Sequence, residues 1–195
     1  MRKVILFCTM LIGASAAVHA QTAIPVQGAI NGLEGNVLSV TTREGRDMKI
    51  ELAKDAAISY PKVVKLEDIK PGTPLGVTAA PAPDGKLVAS RVSVSTNPLR
   101  REGHWNMDKP GDTMTNGSVS GAAQRGNGRE LTISYKGGSN VIFVPENTPV
   151  LMPIVADRSY LKRGEYVALT ASMDNDGKLI ASRVQVSKDG VRPPQ

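Results

Sequence analysis

The feature that most constrains this chain is an internal repeat. The stretch DGKLVASRVSVS (Asp84–Ser95) returns as DGKLIASRVQVS (Asp176–Ser187), identical at ten of twelve positions after a shift of 92 residues. Two more pairs of segments match upstream in the same order: LEDIKPGTPLGV at 66–77 with RSYLKRGEYVAL at 158–169, and GAINGLEGNVLSVTT at 28–42 with GSVSGAAQRGNGRELTIS at 117–134. Ordered matches along most of a repeat indicate a tandem duplication. We therefore expect the two repeats to form the same secondary-structure elements in the same order.

Within each repeat, apolar and polar residues alternate with a period of two. Met48, Ile50 and Leu52 alternate with Lys49 and Glu51, which is the pattern of half-buried strands. Turn-forming pairs punctuate the strands at Gly35-Asn36, Asp84-Gly85, Gly137-Gly138 and Asp176-Gly177. No amphipathic helix is evident beyond single turns near 66–70 or 159–163. The pattern predicts an all-β protein with no major helix apart from an N-terminal signal peptide.

Five short strands are predicted in each repeat. They span 26–32, 36–42, 46–52, 73–80 and 86–95, and then 115–122, 129–135, 139–144, 164–173 and 178–187. Closing each sheet into a barrel removes exposed strand edges. We therefore expect two tandem five-stranded OB-like barrels. The expected units are a signal peptide at 1–20, barrels at 21–95 and 115–187, a linker at 96–114, and a loosely packed C-terminal tail at 188–195.

The N-terminus has the layout of a secretory signal. A basic start (Arg2, Lys3) precedes a short apolar run and a small-residue stretch that ends at Ala20. The apolar run is too short to span a bilayer of about 30 Å. Removal of residues 1–20 would take away Cys8, the only cysteine, and leave His104 as the one histidine. We expect a soluble periplasmic or secreted protein without disulfides, thiol chemistry or thiolate-bound zinc.

The two repeats resemble a bacterial exported OB-like barrel domain of unknown function that often occurs in tandem. The resemblance rests on the order G-x-I/V, then L-K-x-G, then DGxLxASRVxV. In this chain these motifs lie at Gly28 and Ile30, Ile69 to Gly72, and Asp84 to Val94, and again at Gly117 and Val119, Leu161 to Gly164, and Asp176 to Val186. The resemblance implies a fold and an export route, and it carries over no catalytic residues.

The linker stretch REGHWNMDKPGDTM holds the richest set of side chains. His104, Met107 and Met114 offer an imidazole and two thioethers, which favour Cu(I), and Trp105 could lie over such a cation. The set is similar to the His/Met/Trp arrangement of small periplasmic copper chaperones, whose ligands lie on barrel strands instead of a linker. Alternatively, Trp105 plugs the crevice between the barrels. A hard-cation site is a third interpretation; its carboxylates would come from Glu102, Asp108 and Asp112.

The remaining chemistry favours binding over catalysis. With one histidine, no mature cysteine and no G-x-S-x-G motif, nothing indicates nucleophilic catalysis. The mature charge is mildly basic, since 22 Lys and Arg remain against 18 acids once Arg2 and Lys3 are removed, and we expect no nucleic-acid partner. Tyr135 and Phe143 fall on neighbouring predicted strands and form a possible binding face if their rings share a side.

We therefore hypothesise that this chain is an exported, non-catalytic binding or scaffold protein of the bacterial cell envelope. Its partner would be a protein or a glycan, with no membrane span. The alternative is a periplasmic Cu(I)-type metal-binding protein that uses His104, Met107 and Met114. The identity of the partner, the oligomeric state and the orientation of the barrels stay open.

Overall fold

The computed structural model describes residues 23–96, 99 and 101–193, so the expected signal peptide at 1–20 lies outside the described residues. The described chain is all-β, as predicted. Its strands are β1 (Ala23–Glu34), β2 (Val37–Thr42), β3 (Asp47–Val63), β4 (Pro74–Pro81), β5 (Leu87–Val94), β6 (Gly103–Asn106), β7 (Thr113–Arg125), β8 (Gly128–Tyr135), β9 (Gly138–Pro145), β10 (Val150–Ala156), β11 (Tyr166–Met173) and β12 (Leu179–Val186). Two 3₁₀ turns lie at Leu66–Asp68 and Arg158–Tyr160. Within these residues, no helix has the length and apolarity needed to cross a membrane.

Ten of these strands correspond to the ten predicted ones. Two features were not predicted. β6 and β10 are additional strands, and β3 runs far beyond the expected end at residue 52. The extension of β3 and the strand β10 join the two halves of the molecule, whereas β6 pairs only with β7.

Ring 1 is a closed five-stranded β-barrel. β1 pairs with β2, β2 with β3, β3 in parallel with β12, β12 with β11, and β11 returns to β1. Alternate residues of every strand point inward, as period-two sequences require. The core that they form consists of Val26, Ile30, Leu38, Val40, Ile50, Leu52, Ile58, Leu161, Val167, Leu169, Ala171, Ala181, Val184 and Val186.

Ring 2 is a second cycle of five strands. β7 pairs with β8, β8 with β9, β9 in parallel with β5 over two residue pairs, β5 with β4, and β4 with β7. Its core is separate and consists of Leu66, Ile69, Leu75, Val77, Ala79, Ala89, Val92, Val119, Leu131, Ile133, Ile142, Val144 and Val150. The order of pairing is the same as in ring 1, as expected for duplicated sequence.

Neither ring is built from one repeat. Ring 1 combines β1–β3 of the first repeat with β11 and β12 of the second, and ring 2 combines β7–β9 of the second with β4 and β5 of the first. The expected units 21–95 and 115–187 therefore do not each close on themselves in this pairing. The strands were placed correctly along the chain, but two strands of each repeat pair with the other repeat.

A two-stranded ribbon connects the two rings at the place where the repeats exchange their strand pairs. The second half of β3 pairs antiparallel with β10 over six residue pairs, from Ile58 opposite Ala156 to Val63 opposite Leu151. Pro61 lies opposite Pro153, and these two prolines occupy equivalent positions of the two repeats, 92 residues apart. The repeats thus meet about a point between the two prolines, in the manner of a two-fold dimer within one chain.

The two rings repeat each other in detail. The Gly72 N–H donates to the Val119 carbonyl at 2.7 Å, and the equivalent Gly164 N–H donates to the Ile30 carbonyl at 2.8 Å. Both glycines have positive φ, 86° and 89°, which suits a residue without Cβ. Each of these bonds joins one repeat to the other, so the exchange is made with the same contacts in both directions.

The segment predicted as a loosely packed tail begins with a turn that packs on Tyr60 beside the core of ring 1. Asp189 and Gly190 form a tight turn with positive φ, and Lys188 and Val191 exchange backbone hydrogen bonds across it. The Lys188 ammonium lies 4.4 Å from the centroid of Tyr60, which stacks on Tyr160 at 5.3 Å. Burial acts to lower the pKa of Lys188, but Tyr60 and Tyr160 outweigh it and raise that pKa.

Candidate binding surface

The predicted linker contains a strand instead of a spacer. β6 pairs with the beginning of β7, which sets His104 opposite Thr115 and Trp105 opposite Met114. The His104 Nδ1 atom lies 2.8 Å from the Oγ1 atom of the buried Thr115, and the Asn140 side-chain amide donates to the same oxygen at 3.3 Å. His104 thus takes part in a polar network at one end of ring 2, with its ring still exposed.

Trp105 is covered by a cation of the chain itself. The Arg101 guanidinium carbon lies 4.0 Å from the centroid of the indole ring, in cation–π geometry. Trp105 is half-buried. In the order of the sheet, β7, β4 and β5 separate β6 from the ribbon strand β10. Trp105 therefore belongs to an edge of ring 2, and this order gives no support to its predicted role as a plug between the barrels.

The predicted Cu(I) ligands do not share one face. Successive residues of a strand point to opposite sides, so His104, opposite Thr115, and Met114, next to Thr115, lie on different faces. Met107 follows β6, and its N–H donates to the Asp112 carbonyl at 2.8 Å. The Cu(I) site stays a prediction. A titration of Trp105 fluorescence with Cu(I), repeated in His104→Ala, tests it.

The carboxylates of the linker do not gather either. Asp112 is engaged by Lys109, whose ammonium lies 3.3 Å from its Oδ2 atom. Over the part of the chain that the structure describes, no group of three or more His, Cys, Asp and Glu residues is placed to hold a metal ion. The alternative hard-cation interpretation of Glu102, Asp108 and Asp112 gains no support from this arrangement.

Tyr135 and Phe143 lie apart. In the β8–β9 register Tyr135 is opposite Gly138, whereas Phe143 is opposite Glu130, at the other end of the strand pair. Tyr135 shares the inward parity of Leu131 and Ile133, while Phe143 alternates with the buried Ile142 and Val144 and points outward. The side chains of Tyr135 and Phe143 therefore do not form the shared face that the sequence suggested, and only Phe143 lies on the outside.

Phe143 belongs to an outer β8–β9 face, which we define as Glu130, Thr132, Val141 and Phe143. Val141 is 56% exposed. The Phe143 ring lies over Gly128, where a Cβ would come within 2.9 Å of two ring carbons. The glycine thus allows the aromatic ring to lie flat against the strand, half-buried and half-open to solvent.

A shallow cleft of about 310 Å³ continues from this face. It is lined by Ala82, Asp84, Lys86, Val88, Arg125, Glu130 and Phe143. The Arg125 Nε atom lies 2.8 Å from Glu130 Oε2, and the Lys86 ammonium lies 3.5 Å from Asp84 Oδ2. Since the charged groups are paired with each other, the unpaired part of the cleft is apolar and consists of Ala82, Val88 and Phe143.

Ring 1 has a cleft of about 420 Å³ at the equivalent place, lined by Val37, Lys49, Glu51, Gly177, Lys178 and Leu179. A shift of 92 residues superposes Lys49 on Val141 and Glu51 on Phe143. These two strand positions are therefore charged in ring 1 and apolar in ring 2, whereas on the facing strand ring 1 has Val37 where ring 2 has Glu130. This contrast was available from the repeat alignment, but the sequence alone did not say that these positions face outward.

Comparison of the chain with protein-family models, with curated proteins and with solved structures found no match in any of the three.

Proposed function

We propose that this protein is an exported, non-catalytic binding protein of the bacterial cell envelope, and that it binds its partner through the outer β8–β9 face and the adjoining cleft. The observation that carries the proposal is the divergence of two equivalent surfaces. Val141 and Phe143 stand in ring 2 where Lys49 and Glu51 stand in ring 1. Val141 is exposed and Phe143 is half-buried, and an apolar pair in place of a charged pair favours ring 2 as the copy that meets a partner.

The proposal includes an OB-like fold for both rings. An OB-type barrel has five strands and binds ligands on the face of its second and third strands, beside the loops that follow the first and fourth strands. In ring 2 these elements are β8, β9, the turn at 126–127 and the turn at 82–86. The cleft of ring 2 is lined from these same elements and so supports the assignment.

The chemistry of the cleft supports binding instead of catalysis. Its titratable residues are Asp84, Lys86, Arg125 and Glu130, which form two ion pairs. Paired acids and bases of this kind do not provide a free general base or nucleophile. The open Phe143 ring and Val141 offer an apolar surface that suits a side chain of a protein or the apolar face of a sugar.

A site-specific photo-crosslinking experiment in producing cells tests the proposal. A photoreactive residue is placed at position 141, with position 49 as the matched control in ring 1. We expect a discrete crosslinked product from position 141 and none from position 49. The product from position 141 should be lost in Phe143→Glu, which introduces the ring 1 residue, and kept in Glu51→Ala. Equal crosslinking at both positions, or none at either, would contradict the proposed surface.

A further inference from the structure

We propose that a second copy of this chain is a partner, and that two molecules exchange their C-terminal strand pairs. The exchanged unit is β11–β12, and the surface that receives it is the three-stranded unit β1–β3 of the other molecule. This inference does not depend on the outer β8–β9 face. It rests on the exchange that the two repeats already make within one chain.

The two strand pairs of the molecule are nearly interchangeable. β5 and β12 lie in stretches that are identical at ten of twelve positions. They also pair identically, since Val92 lies opposite Val150 in ring 2 and the equivalent Val184 lies opposite Ile58 in ring 1. A strand pair with this sequence can therefore complete a three-stranded unit that belongs to another repeat or to another molecule.

The receiving surfaces match as well. Leu38 and Ile50 of ring 1 are equivalent to Leu131 and Ile142 of ring 2, and all four side chains are fully buried. The backbone bonds from Gly72 to Val119 and from Gly164 to Ile30 are the same bond made twice. A strand pair that arrives from another molecule would therefore make every contact that the chain's own pair makes.

The connections permit such an exchange. β10 leaves ring 2 after the turn at 146–149 and reaches ring 1 only through the ribbon with β3. At the centre of that ribbon Pro61 faces Pro153, and proline has no N–H to donate. Release of β11 and β12 requires the ribbon to open together with the β1–β11 and β3–β12 pairings, and the same pairings are restored when the strand pair closes on another molecule. Exchange of identical elements is a low-cost route to dimers.

Chain concentration decides between the two arrangements. Because β11–β12 and the unit β1–β3 of the same chain are tethered, their effective concentration relative to each other is on the order of 1 mM. Refolding in dilute solution should therefore give monomers. Refolding near about 1 mM chain should give a large fraction of exchanged dimers, because the two arrangements then compete evenly.

Two single-cysteine variants of the full chain test the proposal in a Cys8→Ser background. Pro25→Cys and Thr170→Cys replace exposed residues that lie opposite each other between β1 and β11. The two variants are mixed, unfolded in guanidinium chloride, refolded together in dilute solution or near about 1 mM, and oxidised. Mass spectrometry then counts disulfide-linked heterodimers. The matched control replaces Thr170→Cys with Glu44→Cys, an exposed residue in the turn between β2 and β3.

We expect the Pro25–Thr170 heterodimer to increase several-fold with concentration and to exceed the Pro25–Glu44 product. Light scattering of the unsubstituted chain refolded at the same concentrations should show a matching dimer, which keeps the test independent of the substitutions. A heterodimer yield no higher than that of the control, or a chain that stays monomeric after refolding near about 1 mM, would overturn the proposal.

Discussion

Ring 1 and ring 2 are alike inside and different outside. Their strands pair in the same order, their cores use equivalent aliphatic side chains, and the same glycine turns lead into β4 and β11. On the outer face, however, Lys49 and Glu51 of ring 1 correspond to Val141 and Phe143 of ring 2. The two rings thus share the pairing and the core that fold the protein and differ in the side chains that they expose. A surface that changed while its scaffold stayed the same is where we expect the function.

The largest expected effects come from the equivalent core leucines. Leu38→Ala and Leu131→Ala each remove a fully buried side chain, and each should lower the free energy of unfolding by about 2–5 kcal/mol. Because every ring contains strands of both repeats, we expect one cooperative transition in both variants, measured by circular dichroism in urea. Two transitions, with only one of them shifted by each substitution, would mean that the rings are independent.

A smaller effect is expected at the equivalent glycines Gly28 and Gly117. A Cβ at Gly28 would lie 2.1 Å from the Thr41 carbonyl oxygen, and one at Gly117 would lie 2.3 Å from that of Ser134. Overpacking against backbone costs about 1–3 kcal/mol or more, so both Gly→Ala variants should be destabilised to a similar degree. Gly32→Ala is the control, because a Cβ there meets nothing within 4 Å. A tolerated change at one glycine and not the other would break the equivalence of the rings.

The smallest expected effect concerns the two 3₁₀ turns, which differ in the residue that caps their N-terminus. Hydrogen bonds from the Ser159 hydroxyl and N–H lower the pKa of Asp157 below its ordinary value of 3.8, and Asp157 Oδ1 caps the turn at 2.8 Å. The equivalent Lys65 caps nothing with its side chain. A lowered pKa stabilises the fold above pH 3.8, and this contribution is lost as the pH falls through the folded value.

We therefore expect Asp157→Ala to lower the Tm slightly at pH 7, with the difference vanishing in acid. Lys65→Ala should change little, whereas Lys65→Asp should raise the Tm by supplying the missing cap. Thermal melts at pH 7 and at a pH well below 3.8, where Asp157 is protonated in the folded state as well, measure these differences. An Asp157→Ala deficit that persists unchanged in acid would show that the carboxylate is not its cause.

The sequence was sufficient to predict ten of the twelve strands but not their partners. Period-two alternation tells which side of a strand is buried, and Gly-containing turns mark where a strand ends. Neither tells which of two nearly identical strand pairs completes a given sheet, because Asp84–Ser95 and Asp176–Ser187 fit both rings equally well. The local pattern also did not predict the extension of β3 or the strand β10, because these two segments pair with each other across a long stretch of sequence.

The structure separates the two aromatic residues of the predicted binding face. Phe143 lies on a predicted strand, and its alternation with buried residues places it on the outer face. Tyr135 also lies on a predicted strand, but the β8–β9 register puts it at the opposite end of the strand pair, with inward parity. The sequence analysis did not select Val141, which the structure shows to be 56% exposed on the same face as Phe143.

The central claim is that the two repeats of one chain exchange strand pairs with each other. The most direct test of this claim compares two double-cysteine variants in a Cys8→Ser background. Pro25 lies opposite Thr170 in the exchanged pairing. If each repeat closed on itself, Pro25 would instead lie opposite Thr78, because the equivalent Met114 lies opposite Thr78 in ring 2. We predict rapid intramolecular disulfide formation in Pro25→Cys/Thr170→Cys and none in Pro25→Cys/Thr78→Cys, measured by mass spectrometry after dilution and oxidation. A disulfide that forms only in the second variant would contradict the exchanged fold.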